Sequence, residues 1–185
     1  MIIYGKNPVR EFLLQPSSYI EEVFLSNEID RDSIREIIQL AEKNRIKISY
    51  LTRYDLTKIS ETNSHQGIAA RISEFKYKDV SEILDIVTQK GEKLLILILD
   101  HIEDPQNLGA IIRSVNVLGA HGVIIPKDRS ASVTPAVVKA SAGAVSYVPI
   151  SKVVNIVRVI RELKNKGIWI VGAELASPKL IHDEE

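Results

Sequence analysis

The sequence predicts an α/β protein built from two blocks: a small α/β/α layer over residues 1–76, and an open, parallel, Rossmann-like sheet over residues 77–185. Three observations carry this reading. The stretch Leu94–Pro126 runs from an apolar segment through a polar loop into a helical repeat and out into a second β-branched run, the pattern of a strand–loop–helix–strand crossover. The same alternation continues to Val171, as a parallel sheet requires. The charged and aromatic segment Glu74–Lys78 interrupts the pattern once and marks the boundary.

In the first block, Asn7–Leu14 is predicted helical, with Pro8 near its start and Val9, Phe12 and Leu13 at helical spacing. Ile20–Leu25 follows as a strand. Arg31–Asn44 is an amphipathic helix with Ile34, Ile37, Ile38 and Ala41 on one side. Ile46–Leu51 is a strand, Arg53–Ser60 a short helix, and Gly67–Ile72 a strand after the polar turn Thr62–Gln66. In the second block Asp79–Gln89 is a helix, and Leu94–Leu99 has the continuous apolar character of a strand buried on both faces. A helix begins at Pro105, a residue suited to a first helical position, and carries Leu108, Ile111, Ile112, Val115 and Leu118. Val123–Ile125 is the next strand, Pro135–Ala142 a helix, Tyr147–Ile150 a short strand, Val153–Lys166 a helix and Ile168–Val171 another buried strand. Four strands are fewer than a doubly wound domain usually has, so the second block reads as the front part of a sheet.

Composition narrows the function classes. The 24 basic and 24 acidic residues cancel, so no global field steers the chain toward nucleic acid, although a local patch suffices for binding. With no cysteine, disulfides and thiolate zinc sites are excluded, and the four histidines lack metal-ligand spacing. No apolar run approaches the roughly 20 residues of a membrane span, and the N-terminus lacks the pattern of a signal peptide. The expectation is a soluble, cytoplasmic protein that needs neither metal nor membrane.

Ligands of parallel sheets bind where loops leave the carboxyl ends of strands. There the chain carries Asp100, His101, Glu103, Asp104, Asn107, Gly109 and Arg113. Asn107 and Gly109 fall where helix N–H groups favour anions, and Arg113 follows within reach of a phosphate or ribose. The bland alternative makes Asn107 a helix cap, Gly109 a packing residue and Arg113 a partner of Glu103 or Asp104; the position directly after a strand favours the functional reading. Neither a dinucleotide Gly-x-Gly-x-x-Gly nor a P-loop is present. Ser141-Ala142-Gly143-Ala144 is best explained by tight turning, with Ser141 structural or facing substrate rather than nucleophilic. His65 and Gln66, in the polar loop before a strand, either turn the chain or contact bases of unpaired RNA.

Four stretches, in order along the chain, resemble the SpoU/TrmH family of RNA ribose 2′-O-methyltransferases (SPOUT superfamily), particularly its ribosomal-RNA guanosine subgroup. They are Tyr4-Gly5-Lys6-Asn7-Pro8-Val9, His65-Gln66-Gly67-Ile68-Ala69, Leu99–Arg113 with its Asn-Leu-Gly-Ala-Ile-Ile-Arg core, and Thr134–Ala144 ending Lys-Ala-Ser-Ala-Gly-Ala. The resemblance implies an L30e-like RNA-binding domain at 1–76 and the opening part of a SPOUT (alpha/beta knot) methyltransferase domain at 77–185. It implies S-adenosylmethionine as cofactor, ribosomal or transfer RNA as substrate, and a homodimer when complete. Asn107 and Arg113 match the family's first motif as catalytic residues. RNA contacts are expected from Lys6, Asn7, Arg10, His65, Gln66 and Ser141, with Gly172 and Ala173 as candidates for touching the cofactor from the remaining side. Because a guanidinium is a poor proton acceptor at neutral pH, orienting the ribose and phosphate is the easier task for Arg113.

The family's second and third motifs, a Gly-x-Glu-rich loop and a Ser-Leu-Asn segment that build most of the cofactor pocket and knot, have no counterpart in these residues. The expectation is that the 185-residue chain alone binds S-adenosylmethionine poorly and is inactive. Two other readings stay open: a non-catalytic RNA-binding module built on the first block, and a small-ligand protein holding a phosphate at Asn107–Arg113.

Overall fold

The computed structural model describes residues 1–15 and 20–174. In the first block the elements are β1 (Ile2–Tyr4), α1 (Lys6–Leu14), β2 (Ile20–Ser26), α2 (Arg35–Lys43), β3 (Lys47–Leu51), α3 (Arg53–Ser60) and β4 (Ile68–Ile72). The strands lie in the order β1-β4-β2-β3, with β2 and β3 parallel and β4 antiparallel to both its neighbours. Side chains alternate across the central strands with period two. Val23, Leu25, Ile68, Ala70 and Ile72 face the core shared with α1 and α2, whereas Phe24 and Ala69 face Leu56 of α3.

The differences from expectation here are local. β1 was not anticipated: its three residues are too few to announce a strand, and pairing with β4 creates it. The predicted helix Arg31–Asn44 starts with a tight turn at Asp32–Ile34 that buries Ile34 before α2 begins.

The second block contains α4 (Val80–Lys90), β5 (Ile96–Ile98), α5 (Pro105–Leu118), β6 (Gly122–Pro126), α6 (Pro135–Ala140), β7 (Ile150–Val153) and α7 (Ile156–Asn165). β5, β6 and β7 form a parallel sheet in sequential order. Only central β6 is buried along Gly122–Ile125; β5 is a half-buried edge strand beside the 53% exposed Leu95, which corrects the expectation for Leu94–Leu99. The strand expected at Tyr147–Ile150 begins only at Ile150, because a single helical turn at Ala144–Ser146 occupies the approach. α7 starts later than expected, where the Asn155 side chain accepts a hydrogen bond from the Arg158 N–H at 2.9 Å. Ile168–Val171 is not a strand among the described residues. Ile168 and Ile170 pack partly buried against Ile124, Val159 and Leu163, while Trp169 is 90% exposed.

The boundary segment does not leave the blocks loosely tethered. Phe75 and Tyr77 pack edge to face at 5.2 Å, the Lys78 N–H donates to the Ile150 carbonyl, and one hydrophobic cluster runs from Ile3, Val9 and Phe12 through Leu108, Ile112, Val137 and Ile150.

Candidate functional site

The carboxyl edge of the second sheet is formed by the loops 99–104 and 127–134. They are joined by a hydrogen bond from the Ala131 N–H to the Ile102 carbonyl at 2.8 Å. Each holds a non-glycine residue in the left-handed region, His101 at φ 56° and Arg129 at φ 53°, a backbone cost that persists only where the surroundings impose it. The second loop is pinned from behind. Lys152 Nζ donates to Ser132 Oγ at 2.6 Å and lies 5.4 Å from the Tyr77 ring centroid, and the Tyr77 hydroxyl accepts from the Val133 N–H at 2.9 Å.

α5 leaves this edge with Asp104 as its cap, the carboxylate accepting from the Gln106 N–H at 3.0 Å, and with Pro105 in its first turn. Asn107 is therefore not the cap. Both Asn107 and Arg113 are exposed, and neither side chain has a hydrogen-bond or ion-pair partner among the described residues. The acids that were candidates to neutralise Arg113 do not: Glu103 is exposed without an ion pair among the described residues and Asp104 caps the helix. An amide and a fork of guanidinium donors thus face solvent on the helix that follows the first strand of the sheet. That arrangement can orient a phosphate or ribose through charge-assisted hydrogen bonds.

Gly109 and the small residues of α6 have a packing role. A Cβ at Gly109 would lie 2.4 Å from Ala140 Cβ and 2.9 Å from the Ser141 nitrogen, so glycine permits α5 to touch α6, not a ligand to approach. Ser141 is fully buried and donates to the Val138 carbonyl at 3.1 Å, which removes it from any RNA-facing surface. Gly143, at φ 92°, is packed against Glu11 and Pro8 of α1, where a Cβ would come within 2.7 Å of Glu11 Cβ.

The predicted RNA-contacting residues of the first block divide. His65 is fully buried: its Nδ1 accepts from the Gly67 N–H at 3.0 Å and its Nε2 meets Thr57 Oγ1 at 3.0 Å. Burial first, then the charge of Arg53, holds its pKa below the ordinary histidine value. It shapes the turn and has no surface to offer RNA. Arg10 is engaged by two carboxylates, Glu36 at 2.8 Å and Glu11 at 2.7 Å, and the former is pulled below the ordinary carboxylate range by that contact. Glu11 also accepts from the Tyr147 hydroxyl at 2.6 Å. Lys6, Asn7 and Gln66 converge at the start of α1, where the Lys6 N–H donates to Gln66 Oε1 at 3.1 Å.

One residue of this neighbourhood was not singled out from the sequence. Lys139, on α6, reaches across to place its Nζ 3.3 Å from Gln66 Oε1 and 5.9 Å from the Tyr4 ring centroid. Its sequence signals are its place as the lysine of the Lys-Ala-Ser-Ala-Gly-Ala stretch and its being a single cation in the otherwise small, apolar helix Pro135–Ala140.

The described residues do not fit a complete cofactor pocket. Gly172 and Ala173 are exposed and outside any strand. Two cavities of the described residues, one between Phe12, Phe75 and Tyr147–Ile150 and the other between α4 and α7, include none of Gly172, Ala173, Asn107 and Arg113. Among the described residues no group of three or more His, Cys, Asp or Glu could hold a metal ion, and no helix is long and apolar enough to cross a membrane.

Comparison with known proteins matches both blocks. Residues 94–184 match the SpoU rRNA Methylase family, and residues 2–78 match the RNA 2′-O ribose methyltransferase substrate-binding family. YacO of Bacillus subtilis (strain 168), named for the TrmH family of tRNA/rRNA methyltransferases, is 35% identical across 95% of this chain and 70% of its own length. A Staphylococcus saprophyticus protein of the same family name is 37% identical across 94% of this chain and 69% of its own. Among solved structures, the SpoU methyltransferase AviRb of Streptomyces viridochromogenes, in complex with AdoMet, aligns with a TM-score of 0.66 at 21% identity. An AdoMet-bound rRNA methyltransferase of Sinorhizobium meliloti aligns with a TM-score of 0.65 at 22% identity. The chain covers 59% and 57% of those two solved chains, and at such identities the likeness speaks for the fold.

Proposed function

Because this chain belongs to the SpoU/TrmH family of RNA methyltransferases, we propose that it serves S-adenosylmethionine-dependent methylation of a ribose 2′-hydroxyl in ribosomal or transfer RNA. The observation that carries the reading is the unpaired Arg113. A guanidinium kept clear of carboxylates, on the helix that leaves the carboxyl edge of the sheet, suits a phosphate and ribose better than an internal salt bridge. S-adenosylmethionine supplies the methyl group, as the AdoMet complexes of the two solved relatives suggest. No described residue is assigned to holding it.

In this reading Arg113 donates to the ribose and its neighbouring phosphate and stabilises negative charge developing on the 2′-oxygen, while Asn107 fixes the ribose by amide hydrogen bonds. Lys6, Asn7 and Gln66 supply RNA contacts from the first block, and Arg10, His65 and Ser141 shape the surface from behind it. The reading extends to a homodimer: Val117 and Leu118, 78% and 77% exposed on the helix that carries Arg113, are apolar surface that a second copy would cover. Sedimentation of the complete polypeptide as a monomer would remove that extension.

The test is transfer of tritiated methyl groups to ribosomal and transfer RNA by the complete polypeptide as the cell makes it. Arg113→Ala is expected to lose activity by about 10²-fold or more, the usual cost of deleting a donor to developing charge. Arg113→Lys, which keeps charge but not the fork, should fall between. Near wild-type transfer by Arg113→Ala would overturn the assignment, and RNA binding without any transfer by the wild type would favour a non-catalytic RNA-binding module.

A further inference from the structure

We propose that Lys139, Lys6 and Gln66 form a cradle across the junction of the two blocks that holds one phosphodiester of the bound RNA. The inference rests on the RNA reading above and adds to it a residue from the methyltransferase block.

The charges around the junction motivate it. Some surface cations, Arg10, Arg35, Lys47, Arg71, Lys78 and Arg158 among them, meet carboxylates, and others, Arg113 included, do not. At the junction, two ammonium groups have none among the described residues. Lys6 Nζ donates only to the neutral Ser33 hydroxyl at 2.9 Å. Lys139 Nζ has one acceptor, Gln66 Oε1 at 3.3 Å, and an aromatic face at 5.9 Å. An ammonium has three donors, so hydrogens remain unmatched. Lys139 is moreover half-buried, and burial pushes its pKa below the ordinary lysine value, the expected response of a cation lacking a counter-charge.

The cradle is also shaped. Gln66 Oε1 accepts from both the backbone N–H of Lys6 at 3.1 Å and Lys139 Nζ, which seats the first residue of α1 beside the Lys139 ammonium and leaves the exposed Gln66 amide as a further donor, while the Lys6 ammonium extends from the same residue toward Ser33. Gly5, at φ 97°, keeps the floor open: a Cβ there would lie 2.5 Å from Lys139 Nζ. A purely structural latch between blocks would be served by a lysine–carboxylate pair. A cluster of donors around one neutral acceptor suits an incoming anion, and a diester offers two oxygens to fill it. Lys139 directly precedes Ala140, the residue on which Gly109 of α5 rests. A phosphate held here would thus be registered against the helix that carries Asn107 and Arg113.

The experiment is fluorescence anisotropy of a labelled ribosomal stem–loop RNA titrated with the complete polypeptide over a series of salt concentrations. Lys139→Gln is expected to bind about tenfold more weakly, the worth of a charge-assisted hydrogen bond. Its slope of log K against log salt should be shallower by about one, because one phosphate fewer is neutralised on binding. Lys139→Arg should retain the wild-type slope. If Lys139→Gln does not fold, Lys6→Gln carries the same prediction from the other side of the cradle. Wild-type affinity and slope in the glutamine variants would overturn the proposal while leaving the RNA reading standing; a wild type that binds no RNA would remove both. Inorganic phosphate is the other source of the same chemistry. A phosphate-induced thermal shift that Lys139→Gln abolishes, with RNA affinity unchanged, would assign the cradle to a free anion and also overturn the proposal.

Discussion

Replacing Gly109 with alanine separates two explanations of a glycine in the family motif, because they predict opposite signs. If glycine were there to admit a ligand, alanine in the second turn of α5 would stabilise the helix by about 1 kcal/mol, the ordinary propensity difference. The structure argues otherwise. The new methyl would sit 2.4 Å from Ala140 Cβ, 2.9 Å from the Ser141 nitrogen and 3.0 Å from the Ala140 carbonyl carbon. Carbon atoms pack at about 3.5–4.0 Å, so α5 and α6 must separate by roughly 1 Å, and two of the opposing atoms are backbone that no rotamer change can clear. Overpacking of this kind costs about 1–3 kcal/mol, and subtracting the propensity gain leaves a net loss of up to about 2 kcal/mol. Urea unfolding followed by circular dichroism would read this as a midpoint lower by up to roughly 1 M. Ala140→Gly in the same chain should recover part of the loss, since it removes the closest clash but not the backbone ones, and a double-mutant cycle would report that coupling. An unfolding midpoint raised by Gly109→Ala would refute the packing argument.

Two further outcomes follow from groups with shifted titration. His65→Ala should cost about 2–4 kcal/mol, since it removes a buried ring and leaves the Gly67 N–H without its acceptor, while the Thr57 hydroxyl keeps only Asn63. Because the folded pKa of His65 is depressed, the unfolded chain takes up the proton first. Its stabilisation is complete above about pH 6.5 and is lost as pH falls through the folded value; an alanine variant showing the same pH dependence as wild type would contradict this. Glu22 is held below the ordinary carboxylate value by Lys47, then by Ser49 and Arg71, across strands β2, β3 and β4. With both cations half-exposed or more, Glu22→Gln should cost only about 1 kcal/mol. The gap from wild type should be full above about pH 4.3 and close as pH falls below it; a gap that persists in acid would point to packing instead.

Periodicity alone located most of the secondary structure, because burial of one face is written locally. The alternation through β2 and β4, the helical spacing in α1 and α5, and Pro105 and Pro135 in first turns are properties of short windows. The four motifs likewise identified the family and pointed to Asn107 and Arg113. Pairing and enclosure were beyond reach. Ile2–Tyr4 is a strand because β4 lies beside it, and Leu94–Leu99 is half-exposed because β5 is the edge strand; neither fact resides in its own residues. Burial decided among polar residues that looked equivalent in one dimension, sending His65 and Ser141 inward and leaving Asn107 and Arg113 outside. Lys139 meets Gln66 across 73 positions of chain, a pairing no local pattern can encode. The sequence by itself determined which chemistry is available, since residue types and local repeats set it. Only the tertiary structure decided which groups are free to perform it, because solvent access and charge pairing depend on distances between segments remote along the chain.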